Sequence, residues 1–299
     1  MQQPPLPVPD ATGIYGFPDD LLQAHRVWQD WLSARQRAGN DTLIELEAPH
    51  TGARFLIEER RPSGRPVVAI EPHHDDLALS AGGLFLTRPV PLTVITVFTR
   101  SASVHPDLEP EHSSVEMVSA LREAEARQAL RPLRATAHLL GHKDADPPYR
   151  RYCEADVGEL VDELASILAD HGDAELIAPA GVTRHPDHLL VHEAARRVGC
   201  RWFWDDVAFW PTYALSADDR HLFDARVGQT LTPELTDITG VLLDKLTLLY
   251  MHGSQMQPLR AMYRPLRYAW TIAAQLPGRQ HRADAAVFGE RLYRLRPST

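Results

Sequence analysis

Pro66-Val67-Val68-Ala69-Ile70 is a short unbroken apolar run, and Glu71-Pro72-His73-His74-Asp75-Asp76 follows it directly. An apolar run of this length without polar alternation marks a strand buried on both faces. Similar runs recur at residues 92–98, 135–140 and 174–179. Helical stretches lie between them, at about residues 77–86, 113–130 and 154–171, and a further one spans about 186–198. Strand–helix alternation at this spacing predicts an α/β fold with a doubly wound, mostly parallel, Rossmann-like sheet. In such sheets ligands bind beyond the C-terminal strand ends, so the His/Asp cluster after Ile70 stands at the reactive edge.

Outward from this core the rhythm changes. Leu21, Leu22, Ala24, Val27, Trp28, Trp31 and Leu32 recur at helical spacing after Asp19-Asp20, predicting an amphipathic helix that ends near Gly39. Strand-like runs at 42–47 and 54–59 flank Pro49-His50-Thr51-Gly52, a hairpin signal. Residues 1–65 are therefore read as an N-terminal accessory helix/hairpin segment, packed rather than tethered, and residues 66–299 as the main domain. Beyond Cys200 come an aromatic segment (Trp202, Phe203, Trp204, Phe209, Trp210), a helix expected at 237–252, and a last helix and strand reaching Leu295. These make up C-terminal α+β elements. There is no internal repeat and no low-complexity tract.

At 299 residues, 44% hydrophobic and 24% charged, the chain is long enough for a substantial core. Its formal net charge of −9 offers no global attraction for nucleic acid or an anionic membrane, so neither is expected as a partner. The longest apolar stretches are far too short for a membrane span. The Pro-rich, polar residues 1–10 lack the pattern of a secretory signal, which leads to the expectation of a cytoplasmic protein. The two cysteines, Cys153 and Cys200, leave one disulfide open but cannot build a thiolate-rich zinc site. A metal in this chain would be held by His and carboxylate.

A second cluster follows Pro179: Gly181-Val182-Thr183-Arg184-His185-Pro186-Asp187-His188. Both clusters lie at the same predicted edge and together offer what a catalytic metal requires, three protein ligands and an open position for water. Each also has a purely structural reading. Asp75 or Asp76 would cap the helix starting near Leu77. Pro186 suits a first helical position, and Asp187 suits the positive end of the helix dipole. Those roles do not explain four histidines around the two helix starts.

With these motifs the sequence resembles the PIG-L/LmbE-like family of metal-dependent de-N-acetylases. The family's His-x-Asp-Asp is matched by His73-His74-Asp75-Asp76, followed by Ala78-Leu79-Ser80-Ala81-Gly82-Gly83, and its His-x-Asp-His by His185-Pro186-Asp187-His188. Similarity continues through Arg122-Glu123-Ala124-Glu125, Tyr149-Arg150-Arg151, Lys245, Tyr250, Ser254-Gln255 and Glu290-Arg291, covering about residues 66–295. The resemblance implies Zn²⁺ bound by His73, Asp76 and His188, with Asp75 as general base and His185 beside the reaction centre. It implies a zinc-dependent hydrolase that removes an N-acetyl or similar acyl group from an amino sugar, N-acetylglucosamine-like, or from a small glycoconjugate. The chemistry suits the residue types: zinc activates water and polarises the amide carbonyl, and a carboxylate beside the metal shuttles the proton. A protonated His185 would stabilise the oxyanion. A helix N-terminus favours neutral imidazole, and Asp187, read as an outer partner, would offset that.

The sequence departs from the family pattern twice. Leu77 stands where many members carry Glu, and Thr183 stands where some carry a tyrosine thought to assist the oxyanion. Other residues are weaker candidates. His142 and Asp144, past the third strand run, are substrate-binding candidates with a solvated loop as the plainer account, and Tyr149 and Arg150 are candidates for binding sugar hydroxyls. His105-Pro106-Asp107 follows no strand end and is read as a surface loop. His192, one helical turn beyond His188, lacks the glutamate of a His-Glu-x-x-His helix and is read as packing. The competing function is a non-hydrolytic metal-containing sugar- or nucleotide-binding module on the same fold, which would not need Asp75. A nucleotide-sugar transferase lacks its phosphate loop here, and a serine hydrolase lacks its Gly-x-Ser-x-Gly elbow.

Overall fold

The structure, a computed structural model, describes residues 17–39, 42–105, 114–144, 154–181, 185–207, 231–256, 260–276 and 287–295. In chain order its elements are α1 (Phe17–Arg37), β1 (Leu43–Glu47), β2 (Arg54–Glu58), β3 (Val67–Glu71), α2 (Asp76–Thr87), β4 (Leu92–Arg100) and α3 (Val115–Leu130). There follow β5 (Thr136–Lys143), α4 (Glu154–Leu168), β6 (Glu175–Pro179), α5 (Pro186–Arg197) and β7 (Trp202–Trp204). The last are β8 (Leu231–Asp237), α6 (Leu242–Met251), α7 (Arg260–Ala273) and β9 (Gly289–Leu295).

Among the described residues, seven strands form one sheet in the order β5-β4-β3-β6-β7-β9-β8. The first five are parallel, and β9 runs antiparallel to β7 and β8. Because successive strand side chains alternate faces, β3 contributes to both sides of the sheet. Ala69 joins the core under α2, α6 and the N-terminal segment, whereas Val68 and Ile70 join the core under α4 and α5. The α/β sheet expected from the apolar runs is therefore present, with helices on both faces.

Two boundaries differ from expectation. The helix expected from residue 237 begins at Leu242, after the 3-10 turn Thr239–Val241, and residues 231–237 form an unforeseen strand. Pro233 masks this strand in the sequence, but β8 is an edge strand, where a missing N–H is tolerated. In α1 the buried face is Leu21, His25, Trp28 and Leu32, while Val27 is 51% exposed. The spacing of 4, 3 and 4 residues follows one helix face, and it places a histidine where an apolar residue was expected. Cys200 is a buried free thiol with its Sγ 3.2 Å from the Trp202 carbonyl oxygen, and Cys153 lies outside the described residues.

The N-terminal segment is tied to α6 by specific polar contacts. Trp28 Nε1 donates to Asp244 Oδ1 at 2.9 Å, Arg60 pairs with the same carboxylate, and His25 Nε2 lies 2.9 Å from Thr247 Oγ1. β1 and β2 form the expected antiparallel hairpin, and Leu46 and Ile57 enter the same apolar cluster as α2 and α6. α2, which begins at the site, is anchored further along. Buried Lys245 pairs with buried Glu290 and donates to the Leu79 carbonyl at 2.8 Å, and Glu290 also accepts the N–H groups of Gly83 (3.0 Å) and Leu84 (2.6 Å).

Breaking a buried pair by removing one partner strands the other charge. Glu290→Ala should therefore cost about 3–5 kcal/mol in urea unfolding, and Lys245→Met combined with Glu290→Leu should restore most of it. The docking of α1 should also depend on pH. Burial, then the nearby Arg26 charge, pushes His25 down to about 4 from its ordinary 6.5. A depressed imidazole contributes its full stability above 6.5 and loses it as pH falls towards 4, on the order of 3 kcal/mol in all. Protease cleavage within residues 17–66 should accelerate over that window in the wild type and much less in His25→Gln.

Candidate active site

β3 and β6 are parallel neighbours in register, Val67 opposite Glu175 and Ala69 opposite Ile177. Their C-terminal ends therefore lie side by side, and the two His/Asp clusters that follow them meet. After β6 the chain turns at Gly181, whose φ of +63° is left-handed and whose Cβ would fall 2.8 Å from His192 Cβ. Only glycine satisfies both conditions. From there α5 begins with Pro186 in its first turn and His185 at the N-cap position, pointing His188 inward.

The centre of the site is Oδ2 of Asp76. It accepts the backbone N–H of His73 at 2.9 Å and lies 3.3 Å from His73 Nδ1 and 3.4 Å from His188 Nε2. Each imidazole meets a second carboxylate through its other nitrogen. His73 Nε2 is 3.2 Å from Asp187 Oδ2, and His188 Nδ1 is 2.6 Å from Asp206 Oδ1. His185 completes the group, its ring centroid 5.3 Å from that of His73 and 5.4 Å from that of His188. Asp187 and Asp206 side chains are fully buried, and Asp76 nearly so.

Three buried carboxylates around two imidazoles demand positive charge, from protons on the imidazoles or from a divalent cation. Burial opposes a charged His73, but hydrogen bonds with Asp187 and Asp76 push it up to about 10. His188 is raised likewise: burial works against the charge, and Asp76 and Asp206 outweigh it. Burial would raise Asp76, yet the neighbouring His188 and His73 hold it well below the usual carboxylate range. His185 is pushed down to about 4 by burial and by the charges of His73 and His188.

Two overlapping triads have donor atoms mutually within 4.8 Å: His73, Asp76 and His188, and His73, His185 and Asp187. Tetrahedral zinc with bonds of about 2.0–2.1 Å has ligand atoms about 3.3 Å apart, which is the spacing of the Asp76 oxygen from the two imidazole nitrogens. The first triad also leaves Asp187 and Asp206 as outer carboxylates on the ligating histidines, the usual support of a metal-bound imidazole. The donor set fits a divalent metal.

The helix-capping readings are resolved by geometry. Asp75 occupies the N-cap position of α2, but its side chain makes no capping bond. Its Oδ1 lies 3.3 Å from an Arg122 guanidinium nitrogen; Arg122 also donates to Ser101 Oγ at 2.8 Å and sits 3.9 Å from Asp144 Oδ2. Glu71, the last residue of β3, caps α2 instead, accepting the Leu77 N–H at 3.0 Å and the Thr96 hydroxyl at 2.7 Å. Burial pushes this carboxyl up to about 8 against those hydrogen bonds. At the position where the family commonly has Glu, Leu77 is buried, and the acid comes from the strand.

Other candidates are dispersed. His74, only 3% exposed, has no hydrogen-bond partner at either ring nitrogen among the described residues, and it is not in either triad. His192 packs on Phe203 with Nδ1 3.0 Å from the Pro179 carbonyl oxygen. Asp144 reaches the site through Arg122, whereas His142 pairs with Glu163 of α4 at 2.6 Å. Phe98 lies between the His142 and His73 rings. Tyr250 stacks on Phe55 beside α1, and Ser254 hydrogen-bonds buried Glu125. His105 N–H donates to the Ser254 carbonyl at 2.7 Å. Tyr149, Arg150 and Thr183 lie outside the described residues. The sequence analysis missed Asp206 and assigned no role to Arg122 or Glu71. The available signal for Asp206 was an acid pair, Asp205-Asp206, at the end of an aromatic run that proves to be a strand.

The chain also resembles known proteins. The chain is 32% identical over 266 residues to the 2'-N-acetylparomamine deacetylase of Streptomyces fradiae, covering 81% of this chain and 94% of that protein. Among solved structures, a zinc-inhibited form of teicoplanin deacetylase Orf2 matches with a TM-score of 0.56 at 20% identity, over 76% of this chain and 97% of that one. The N,N'-diacetylchitobiose deacetylase of Pyrococcus horikoshii matches at 0.52 and 20%, over 78% and 84%. At these identities the two structures speak for the fold. The profile of PIG-L, described as GlcNAc-PI de-N-acetylase, matches residues 68–198, which include both His/Asp clusters. With that match and a deacetylase relative spanning four-fifths of its length, the chain belongs to the PIG-L family of hydrolytic N-deacetylases.

Proposed function

We propose that this protein uses zinc to hydrolyse the N-acetyl group of an amino sugar or small glycoconjugate, and that 2'-N-acetylparomamine represents its substrate class. The observation that carries the reading is the convergence of His73 and His188 on one oxygen of Asp76, with Asp75 beside them and outside the triad. Zinc held by His73, Asp76 and His188 would polarise the amide carbonyl and acidify an attacking water.

The remaining steps belong to the chain's own side chains. Asp75 takes the proton of the attacking water and passes it to the amine nitrogen as the C–N bond breaks, releasing acetate and a free amino sugar. The Arg122 guanidinium holds that carboxylate in place. His185, kept neutral by its surroundings, serves as a hydrogen-bond donor to the developing oxyanion rather than as a charged one. Asp144, next to Arg122, is assigned to the sugar hydroxyls. The substrate class is supported by the similarity to the paromamine deacetylase across most of both chains.

Acetate release should be measured from 2'-N-acetylparomamine, N-acetylglucosamine and N,N'-diacetylchitobiose, with chelator-treated and zinc-reconstituted protein. Release is expected with zinc and not after chelation; turnover that survives complete metal removal contradicts the reading. Asp75→Asn should lose about 10²–10⁴-fold in turnover while its zinc content stays at the wild-type level. Asp76→Asn should instead lose zinc, and added zinc should recover part of its activity. Equal zinc loss in both variants would show that the two acids do not divide the roles in this way.

A further inference from the structure

Asp205 and Asp206 are neighbours at the C-terminal end of β7, and they face different partners. Asp206 Oδ1 lies 2.6 Å from His188 Nδ1. Asp205 Oδ2 accepts two guanidinium contacts from Arg291 on β9, at 2.8 and 2.6 Å, and the Tyr268 hydroxyl of α7 at 2.6 Å. All four side chains are buried. The short segment after β7 is pinned elsewhere too: the Val207 N–H donates to Ser80 Oγ of α2 at 3.4 Å, and the Trp204 carbonyl accepts the Ala180 N–H at 2.8 Å. Val207 packs in an apolar cluster with Tyr268 and Ile272.

We propose that Asp206 is a positioning residue for the metal ligand His188, and that the Asp205–Arg291–Tyr268 clamp fixes Asp206 in turn. The inference rests on the assignment of His188 as a ligand. By accepting the Nδ1 proton, Asp206 selects the tautomer whose Nε2 is available to the cation, locks the rotation of the ring and raises its basicity. His192, one turn further along α5, shows the contrast: its Nδ1 meets a neutral backbone carbonyl, and it belongs to neither metal triad. Asp205, Asp206, Tyr268 and Arg291 all lie beyond residue 198, where the family profile match ends. The C-terminal strand and α7 thus set the affinity of a centre whose ligands all come from the first two-thirds of the chain.

The test is zinc affinity by chelator competition, together with the visible spectrum of the cobalt(II)-loaded full-length protein; neither requires a substrate. Asp206→Ala should weaken zinc about 10–100-fold and shift the cobalt bands. Asp206→Asn, whose amide oxygen still accepts the Nδ1 proton, should lose less, and Asp205→Asn should shift affinity in the same direction. A merely structural acid would lower the melting temperature and leave the affinity and the cobalt bands of the folded protein at wild-type values. That result in Asp206→Ala overturns the inference. If this variant does not fold, unchanged affinity and bands in Asp206→Asn overturn it equally. His188→Ala serves as the reference. Wild-type affinity there removes the ligand assignment itself, whereas loss there with none at Asp206 removes only the positioning role.

Discussion

Burial of the Asp76 carboxylate is the constraint from which the site follows. An ionised carboxylate out of water is tolerated only with opposite charge and hydrogen bonds around it. His73 and His188 supply the charge side, and the His73 backbone N–H supplies a hydrogen bond. His188 is buried in turn and His73 is largely so, so each needs an acceptor at its far nitrogen, and Asp187 and Asp206 fill that need. The pattern runs outward as acid, imidazole, acid. Behind it, Asp205 is matched by Arg291. A divalent cation at the centre suits this arrangement because it binds the same nitrogens and oxygen that would otherwise share protons.

The constraint can be met only because the backbone delivers two clusters to one place. Parallel register between β3 and β6 puts their ends side by side, and Gly181 allows the second loop to pass against His192. The first turn of α2 must then hold Asp75 and Asp76 in fixed but different directions. Glu71 grips the start of this helix, while the buried Lys245–Glu290 pair holds its middle. Arg122 pairs with Asp75, which stands outside the triad of His73, Asp76 and His188. Two adjacent, chemically identical side chains can therefore differ in role because their surroundings differ.

The elements that surround this centre are not all of the kind the family profile covers. The match at residues 68–198 spans β3 to α5 and all five residues of the two triads. The N-terminal segment packs into the same apolar cluster as α2 and α6, through Trp28, Leu32, Leu46 and Ile57. β7, β9 and α7 reach the site through the two aspartates after β7. Stability of the fold and support of the centre thus depend on both flanks.

The sequence by itself determined the parallel part of the sheet and the meeting of its two His/Asp clusters at one edge. Unbroken apolar runs specify buried strands, and polar clusters directly after them must lie at the strand ends, so both facts are local. Spacing alone does not say which of His73 and His74 joins Asp76; the resemblance to His-x-Asp-Asp pointed to His73, and the reason is not local, because packing sets His73 against Asp76 and buries His74 with no hydrogen-bond partner among the described residues. The same holds for His25, which replaced Val27 on the buried face of α1, and for β8, hidden by Pro233 until its edge position was known. Asp206 is 18 residues from His188 and follows β7, whereas His188 is on α5. Only tertiary packing decides such partners, because burial and hydrogen-bond satisfaction depend on which chain segments meet, and sequence proximity carries no record of that.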